Sequence, residues 1–173
     1  MKNKIIILLT LLLFISCSNL KSNEKSAEKK YEILLNSWEL EKLNTLLESN
    51  SNSDEIKIVE KYKILLQNKL KEQSNLEKMI ENLKFDLKSN NFSDLEMYFD
   101  DNFVNRKVIS EIRKIDFSEL KIVSSKPKFY KNTASNVVAI IFMEQVEYFQ
   151  FNYKLSNKKW SIIEIKDGRW YFE

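Results

Sequence analysis

Residues 137–165 read VVAIIFMEQVEYFQFNYKLSNKKWSIIEI, and the fold prediction starts from the pattern of these residues. β-Branched and aromatic residues dominate it, and these residue types favour strands. Val137–Met143 is apolar at every position, which is typical of a strand covered on both faces. Tyr148–Leu155 alternates apolar with polar residues, which is typical of a half-buried strand. The stretch therefore predicts antiparallel strands joined by short polar turns.

The alternation also predicts which side chains face inward. These side chains line either a filled core or an apolar pocket with one phenolic hydroxyl, and the filled core is preferred because aromatic residues dominate ordinary cores. The candidate inward residues are Phe149, Phe151, Tyr153, Trp160 and Ile162.

Further strands flank this stretch. Leu120–Tyr130 is predicted to be one strand, with Pro127 marking a sheet edge or a bulge because proline cannot donate to a ladder. Asp167 and Gly168 are a turn signal, after which Arg169–Phe172 is predicted to form a last short extended piece.

Helices precede the strands. Apolar residues recur at steps of three and four over residues 31–47 and again over residues 58–70, with the turn-forming segment Ser49–Ser53 between them. Ser74 and Glu77 form a capping-box pattern that predicts the start of another helix. Helices followed by an antiparallel meander of about four strands indicate an α+β domain.

Glu81–Phe103 (ENLKFDLKSNNFSDLEMYFDDNF) reads as a helix, a short polar turn and a second helix. Residues 151–168 (FNYKLSNKKWSIIEIKDG) read as an apolar strand, a polar turn with lysines and a second strand. These two segments resemble the opening and the closing hairpin of the nuclear transport factor two-like fold. The resemblance covers Ser74–Asp167 and implies a curved, cone-like sheet closed by helices. Catalytic members carry inward acid–base pairs or a histidine, and this chain has no histidine. An enzymatic role therefore does not transfer with the resemblance.

The amino-acid composition argues against several kinds of functional site. The chain lacks histidine, the commonest general base and transition-metal ligand, and has one cysteine, Cys17, and one glycine, Gly168. No cofactor and no metal site are expected, because glycine-rich phosphate loops and thiolate zinc sites need more of these residues. The net charge of +3 falls to +1 once Lys2 and Lys4, two of the 28 basic residues, are removed, so no nucleic-acid partner is expected.

The N-terminus has the order of a secretory signal. Lys2 and Lys4 provide positive charge, Ile5–Ile15 is an apolar run interrupted only by Thr10, and Ser16 is a small residue. The run is shorter than the about 20 residues that span a hydrocarbon core.

Phe14-Ile15-Ser16-Cys17 resembles the lipobox of bacterial lipoproteins, in which the cysteine becomes the lipidated first residue. The family usually has leucine where Phe14 stands, and here Leu13 comes one residue earlier. The resemblance implies lipid attachment at Cys17 and export to a bacterial membrane, the outer membrane if the organism has one.

The chain is thus predicted to have four segments. Residues 1–16 are a signal peptide, residues 17–30 the lipidated cysteine with a polar flexible tether, residues 31–72 a helical preface, and residues 73–173 the cone-like domain.

Two acidic pairs are weak site candidates. Asp100 and Asp101 precede Asn102 and are predicted to lie at a helix end or a solvated corner, because adjacent helical residues point about 100° apart. Glu144 and Glu147 are predicted to lie at a hairpin tip.

Three functional classes stay open at this point. The preferred one is a non-catalytic binding or interaction module, anchored to a membrane by lipid on Cys17, with an unknown ligand or an envelope protein as partner. The second is a cone-fold envelope enzyme that uses Asp, Glu or Tyr on a small apolar substrate. The third is a helical adaptor acting through residues 26–72. A carboxylate deep in a cavity would favour the enzyme.

Overall fold

The protein is described by a computed structural model over residues 26–50 and 56–168. Within these ranges no helix is long and apolar enough to cross a membrane. The helices are α1 (residues 26–36), α2 (Leu40–Ser49), α3 (Ile56–Lys88), a 3-10 turn (Leu95–Tyr98) and α4 (Phe103–Ile112). The strands are β1 (Lys121–Ser124), β2 (Lys128–Tyr130), β3 (Thr133–Phe142), β4 (Gln145–Ser156) and β5 (Lys159–Asp167).

The predicted α+β class is confirmed. The helices are followed by a curved, unclosed antiparallel sheet of five strands. The strand order is β1-β3-β4-β5, and β2 also pairs with β3. β3, β4 and β5 are neighbours in chain order because two-residue turns join β3 to β4 and β4 to β5.

The chain divides into two compact units between Lys69 and Leu70, within α3. The first unit has its own core. Tyr31 and Tyr62 lie at its centre with ring centroids 5.3 Å apart, and Asn50 Nδ2 donates to the Tyr31 hydroxyl at 2.6 Å. Residues 26–30, predicted as tether, are helical and belong to α1, because Ala27 packs against this core.

The prediction that a helix starts at Ser74 is wrong. This residue lies inside the helix, which runs without interruption from Ile56 to Lys88. Nothing in the sequence breaks it, since Ile56–Lys88 contains neither glycine nor proline and the apolar spacing resumes with Leu76. The capping-box pattern of Ser74 and Glu77 therefore does not mark the start of a helix.

The buried face of the sheet, here called the inner face, contributes part of the second unit's core, and the helices and the loop before β1 contribute the rest. Register places alternate residues of each strand on it. Its members on the three long strands are Ala134, Asn136, Val138, Ile140, Phe149, Phe151, Tyr153, Trp160, Ile162 and Ile165. The predicted inward set therefore shares one face.

A β-bulge changes the alternation within β5. Consecutive residues of β4 pair with Ile162 and Glu164, which leaves Ile163 as the extra residue. Trp160 and Ile162 face inward before the bulge, and Ile165 faces inward after it. Without the extra residue, the acidic Glu164 would take the inward position.

The predicted single strand Leu120–Tyr130 is two strands, β1 and β2. Pro127 lies in the break, and its position at the sheet edge is confirmed. Ser125 bridges the gap, because its N–H donates to the Val137 carbonyl at 2.8 Å and its Oγ accepts from the Val137 N–H at 3.0 Å.

The prediction that Val137–Met143 is covered on both faces is wrong. Burial in β3 alternates, with Val138 buried and Val137 only partly so, because the helices cover one face alone. Met143 is 84% exposed at the turn to β4. Glu144 shares that turn, as predicted, whereas Glu147 lies within β4, opposite Ile140.

Trp160 fixes the sheet to α3. Its side chain is 3% exposed, its ring contacts Phe129 edge-on with centroids 5.9 Å apart, and its indole N–H donates to the Glu72 carbonyl at 2.8 Å. The indole thus fills the core and also satisfies its own polar group.

We expect Trp160→Ala to lower the free energy of unfolding by about 3–5 kcal/mol, because a large buried side chain leaves a cavity. Trp160→Phe keeps a ring in place and loses the hydrogen bond to Glu72, so it should cost about 1–3 kcal/mol. Urea unfolding followed by far-ultraviolet circular dichroism measures both. Equal stability of Trp160→Ala and the parent would contradict this packing.

Candidate functional site

A cavity of about 470 Å³ lies between α4 and the inner face of the sheet. This volume falls within the about 300–1,000 Å³ of small-molecule sites. Its walls are mainly apolar, and charged residues stand at its mouth. The apolar wall consists of Leu87, Val108, Ile112, Ile115, Phe117, Ile140, Phe149, Phe151 and Ile165.

Helix α4 forms one wall and is held at its N-terminus. Asn102 caps the helix, its side-chain oxygen accepting from the Asn105 N–H at 2.8 Å. Asn105 is 1% exposed, and its amide donates to the carbonyls of Asp100 at 2.9 Å and Ile162 at 3.0 Å. The Asp100 N–H also donates to the Ile162 carbonyl at 2.8 Å. These bonds set the distance between α4 and β5.

The apolar side chains on α4 that line the cavity are Val108 and Ile112, one helical turn apart. Asp101 precedes the helix, is 87% exposed and lies 3.7 Å from Arg106. The predicted solvated corner is therefore where Asp100 and Asp101 lie, but it begins a helix rather than ending one.

The end of α3 positions another part of the wall. The Asn90 N–H donates to the Leu87 carbonyl and the Asn91 N–H to the Asp86 carbonyl, which closes the helix in a Schellman motif with Asn90 at a φ of 50°. The Asn90 side chain then accepts from the Phe117 N–H at 3.0 Å. Leu87 and Phe117, both buried wall residues, are thus fixed to each other.

Asp116 completes this connection. It accepts from Asn90 Nδ2 at 2.7 Å and from the Ser118 N–H at 2.9 Å. These hydrogen bonds, with Asn90 contributing most and Ser118 next, lower the pKa of Asp116 to about 2. A carboxylate held by two donors favours its ionised form.

The charged residues of the cavity all lie at its exposed mouth. They are Lys107, Glu111, Glu147, Lys166 and Asp167. Glu111 accepts from Lys114 at 2.6 Å, and Lys166 lies 3.0 Å from Glu164. The described wall therefore combines an apolar interior with a polar rim, an arrangement suited to binding an apolar molecule.

Tyr153 lies outside this wall. It is 1% exposed, and its hydroxyl donates to Asn136 Oδ1 at 2.9 Å. Burial raises the pKa of Tyr153, which keeps the phenol neutral. The hydroxyl of Tyr153, which was the phenolic group considered for a pocket, is therefore hydrogen-bonded within the core.

The predicted inward set divides between cavity and core. Phe149 and Phe151 line the cavity, whereas Tyr153, Trp160 and Ile162 are core residues. The sequence analysis missed the contributions of α3, α4 and the loop before β1. The spacing of Val108, Ile112 and Ile115, a helical i, i+4, i+7 pattern after Asn102, is the signal that could have found α4.

The lipid-attachment prediction at Cys17 lies outside the described residues, as does the extended piece Arg169–Phe172. Over residues 26–50 and 56–168 there is no group of three or more His, Cys, Asp or Glu that could hold a metal. No protein-family model, curated protein or solved structure matches this chain.

The depressed pKa of Asp116 predicts an acid-dependent stability. An acid with a lowered folded-state pKa stabilises above its unfolded pKa of about 3.8 and loses this contribution as the pH falls to about 2. Asp116→Asn should therefore melt below the parent at pH 7 and approach it at pH 2. Melting temperatures by circular dichroism from pH 2 to 7 measure this.

Asn90→Gly is the matched variant for this test. Glycine adopts the positive φ of residue 90 without strain but removes the donor to Asp116. It should flatten the pH dependence between pH 4 and 2 as Asp116→Asn does. A parent curve and an Asp116→Asn curve that stay parallel down to pH 2 would contradict the role of this carboxylate.

Proposed function

We propose that this protein is a lipid-anchored, non-catalytic binding protein of the bacterial envelope, and that it holds a small apolar ligand in the cavity between α4 and the sheet. The observation that carries the proposal is the cavity itself, with its apolar wall and charged, exposed mouth. The signal-like N-terminus and the lipobox-like residues before Cys17 support the anchor.

The positions of the acidic residues support binding over catalysis. A catalytic carboxylate in an apolar cavity is expected to lie buried within it, where desolvation shifts its proton affinity. Glu111, Glu147 and Asp167 are instead all exposed at the mouth. The phenol of Tyr153 is engaged with Asn136 in the core.

The cavity can be tested by filling it. Val108→Phe adds a ring inside the wall, whereas Val104→Phe adds the same ring one turn earlier on α4, where the side chain is 61% exposed. We expect the parent and Val104→Phe to bind the neutral probe N-phenyl-1-naphthylamine alike, and Val108→Phe to bind it at least tenfold more weakly. A fluorescence titration measures the dissociation constants.

Melting temperatures provide the folding control for both variants. A parent that does not enhance probe fluorescence, or a folded Val108→Phe that binds as the parent does, would overturn the cavity as the binding site. If the protein instead consumes a co-purified ligand, and if this reaction requires one of the carboxylates at the cavity mouth, the protein is an enzyme.

The anchor is tested separately. We expect Cys17→Ser to leave an unprocessed precursor or to release the domain from membranes, because the thiol that would carry a diacylglyceryl group is gone. A single acyl chain anchors only marginally, at about 0.8 kcal/mol per buried CH₂, so stable retention needs more than one chain. Membrane fractionation with intact-mass analysis measures both. Unchanged mass and retention in Cys17→Ser would reject lipidation.

A further inference from the structure

A groove separates α3 from the edge of β1 that faces away from β3. It consists of two adjoining hollows of about 440 and 470 Å³ that share Glu81. Along α3 the groove extends from Ser74 to Lys88, which is roughly 21 Å at 1.5 Å per residue. Along the sheet it extends from Glu119 to Pro127, which is about 26 Å in an extended chain. The helix and the strand edge therefore lie side by side along the whole groove.

The backbone groups of Ile122 and Ser124 point into this groove. The Ser125 N–H donates to the Val137 carbonyl at 2.8 Å, so these two residues form a hydrogen-bonded pair of the antiparallel ladder. Such pairs alternate with pairs whose backbone groups point away from the neighbouring strand. The register places Ile122 and Ser124 in pairs of the second kind. Each of them therefore turns one N–H and one C=O away from β3.

A lysine of α3 shows that this direction leads into the groove. Leu120 has the same alternation as Ile122, and its carbonyl accepts from Lys88 Nζ at 2.7 Å. In residues 26–50 and 56–168, β1 pairs with β3 alone, and no hydrogen bond from another element reaches the backbone of Ile122 or Ser124. Two donors and two acceptors are thus available to a chain in the groove. Because α3 lies beside them, this chain must be a single extended segment and not the edge of another folded sheet.

We propose that the groove binds a short extended peptide of alternating apolar and acidic residues, which adds to β1 as a strand. An added strand gains main-chain hydrogen bonds from the edge, and its alternate side chains determine specificity. The apolar side chains of the peptide would contact Phe85, which is 70% exposed, and Ile122 on the inner face. Because β1 has only four residues, the added strand is short.

Charge favours acidic residues at the other positions of the peptide. The groove is lined by five lysines and three glutamates. Lys84 pairs with Glu81 at 2.9 Å, whereas Lys78, Lys121 and Lys126 are exposed and form no ion pair within the described part of the chain. Carboxylates of the peptide would pair with these three lysines, and basic side chains would be repelled.

A proline substitution tests the edge directly. Ser124→Pro removes the N–H that would bind the peptide but no donor to β3, and proline is tolerated on edge strands. Ser124→Ala is the matched control, because it keeps this N–H and loses only the hydroxyl. The probe is a fluorescently labelled peptide, Val-Glu-Val-Glu-Val-Glu, titrated with the full chain by fluorescence anisotropy. We expect Ser124→Ala to bind it as the parent does and Ser124→Pro to bind it at least tenfold more weakly.

A second peptide tests the charge requirement. The peptide Val-Lys-Val-Lys-Val-Lys should bind to the parent at least tenfold more weakly than the glutamate peptide. No binding of the glutamate peptide by the parent, equal binding of the two peptides, or a folded Ser124→Pro that binds as the parent does would overturn the proposal. None of these outcomes depends on a ligand in the cavity between α4 and the sheet.

Hydrogen exchange in the parent serves if Ser124→Pro fails to fold. Saturation with the glutamate peptide should slow exchange of the Ser124 amide at least tenfold, because this amide would donate to the added strand. The Val123 amide, which points to β3, should exchange as before. Unchanged exchange of the Ser124 amide at saturation would overturn the proposal.

Discussion

Two buried hydrogen bonds converge on one carbonyl, that of Ile162, and the cavity depends on them. One donor is the backbone of Asp100 and the other is the side chain of Asn105. A helix of only ten residues is marginal by itself, so α4 needs tertiary contacts to persist. Leaving the buried Nδ2 group of Asn105 without acceptors would cost about 1–3 kcal/mol, so its two hydrogen bonds favour this placement of the helix.

The remaining walls follow from two local departures from regular structure. The bulge at Ile163 places apolar Ile165 rather than Glu164 on the inner face, and so keeps the cavity interior apolar. The left-handed residue Asn90 ends α3 and ties its last turn to Phe117. Neither feature contributes much buried area, yet each decides which side chains meet across the cavity.

The sequence was sufficient to predict the α+β class and the strands of the sheet, but not every helix boundary and not the cavity. β-Branched and aromatic runs identified the sheet, and alternation correctly placed Trp160 and Tyr153 inward. Periodicity cannot show a one-residue bulge, because the residues after it still alternate. The capping-box pattern at Ser74 led to the wrong prediction of a helix start. It is a local pattern, and the residues on both sides of it favour helix strongly enough for α3 to continue through it. The start of α4 was not predicted because an asparagine such as Asn102 makes the same kind of side-chain hydrogen bond to the backbone in turns as it does at the start of a helix.

The interrupted edge of the sheet also bears on how the molecule behaves among copies of itself. A long, straight outer strand would expose a row of unsatisfied peptide groups that recruits strands from neighbouring chains. Here the β1–β2 edge is divided into segments of four and three residues, with Pro127 between them. At the other edge, Phe99 and Asp100 cover β5 at Ile162. Such a sheet resists intermolecular strand addition and aggregation, an advantage for any protein that is crowded at high local concentration.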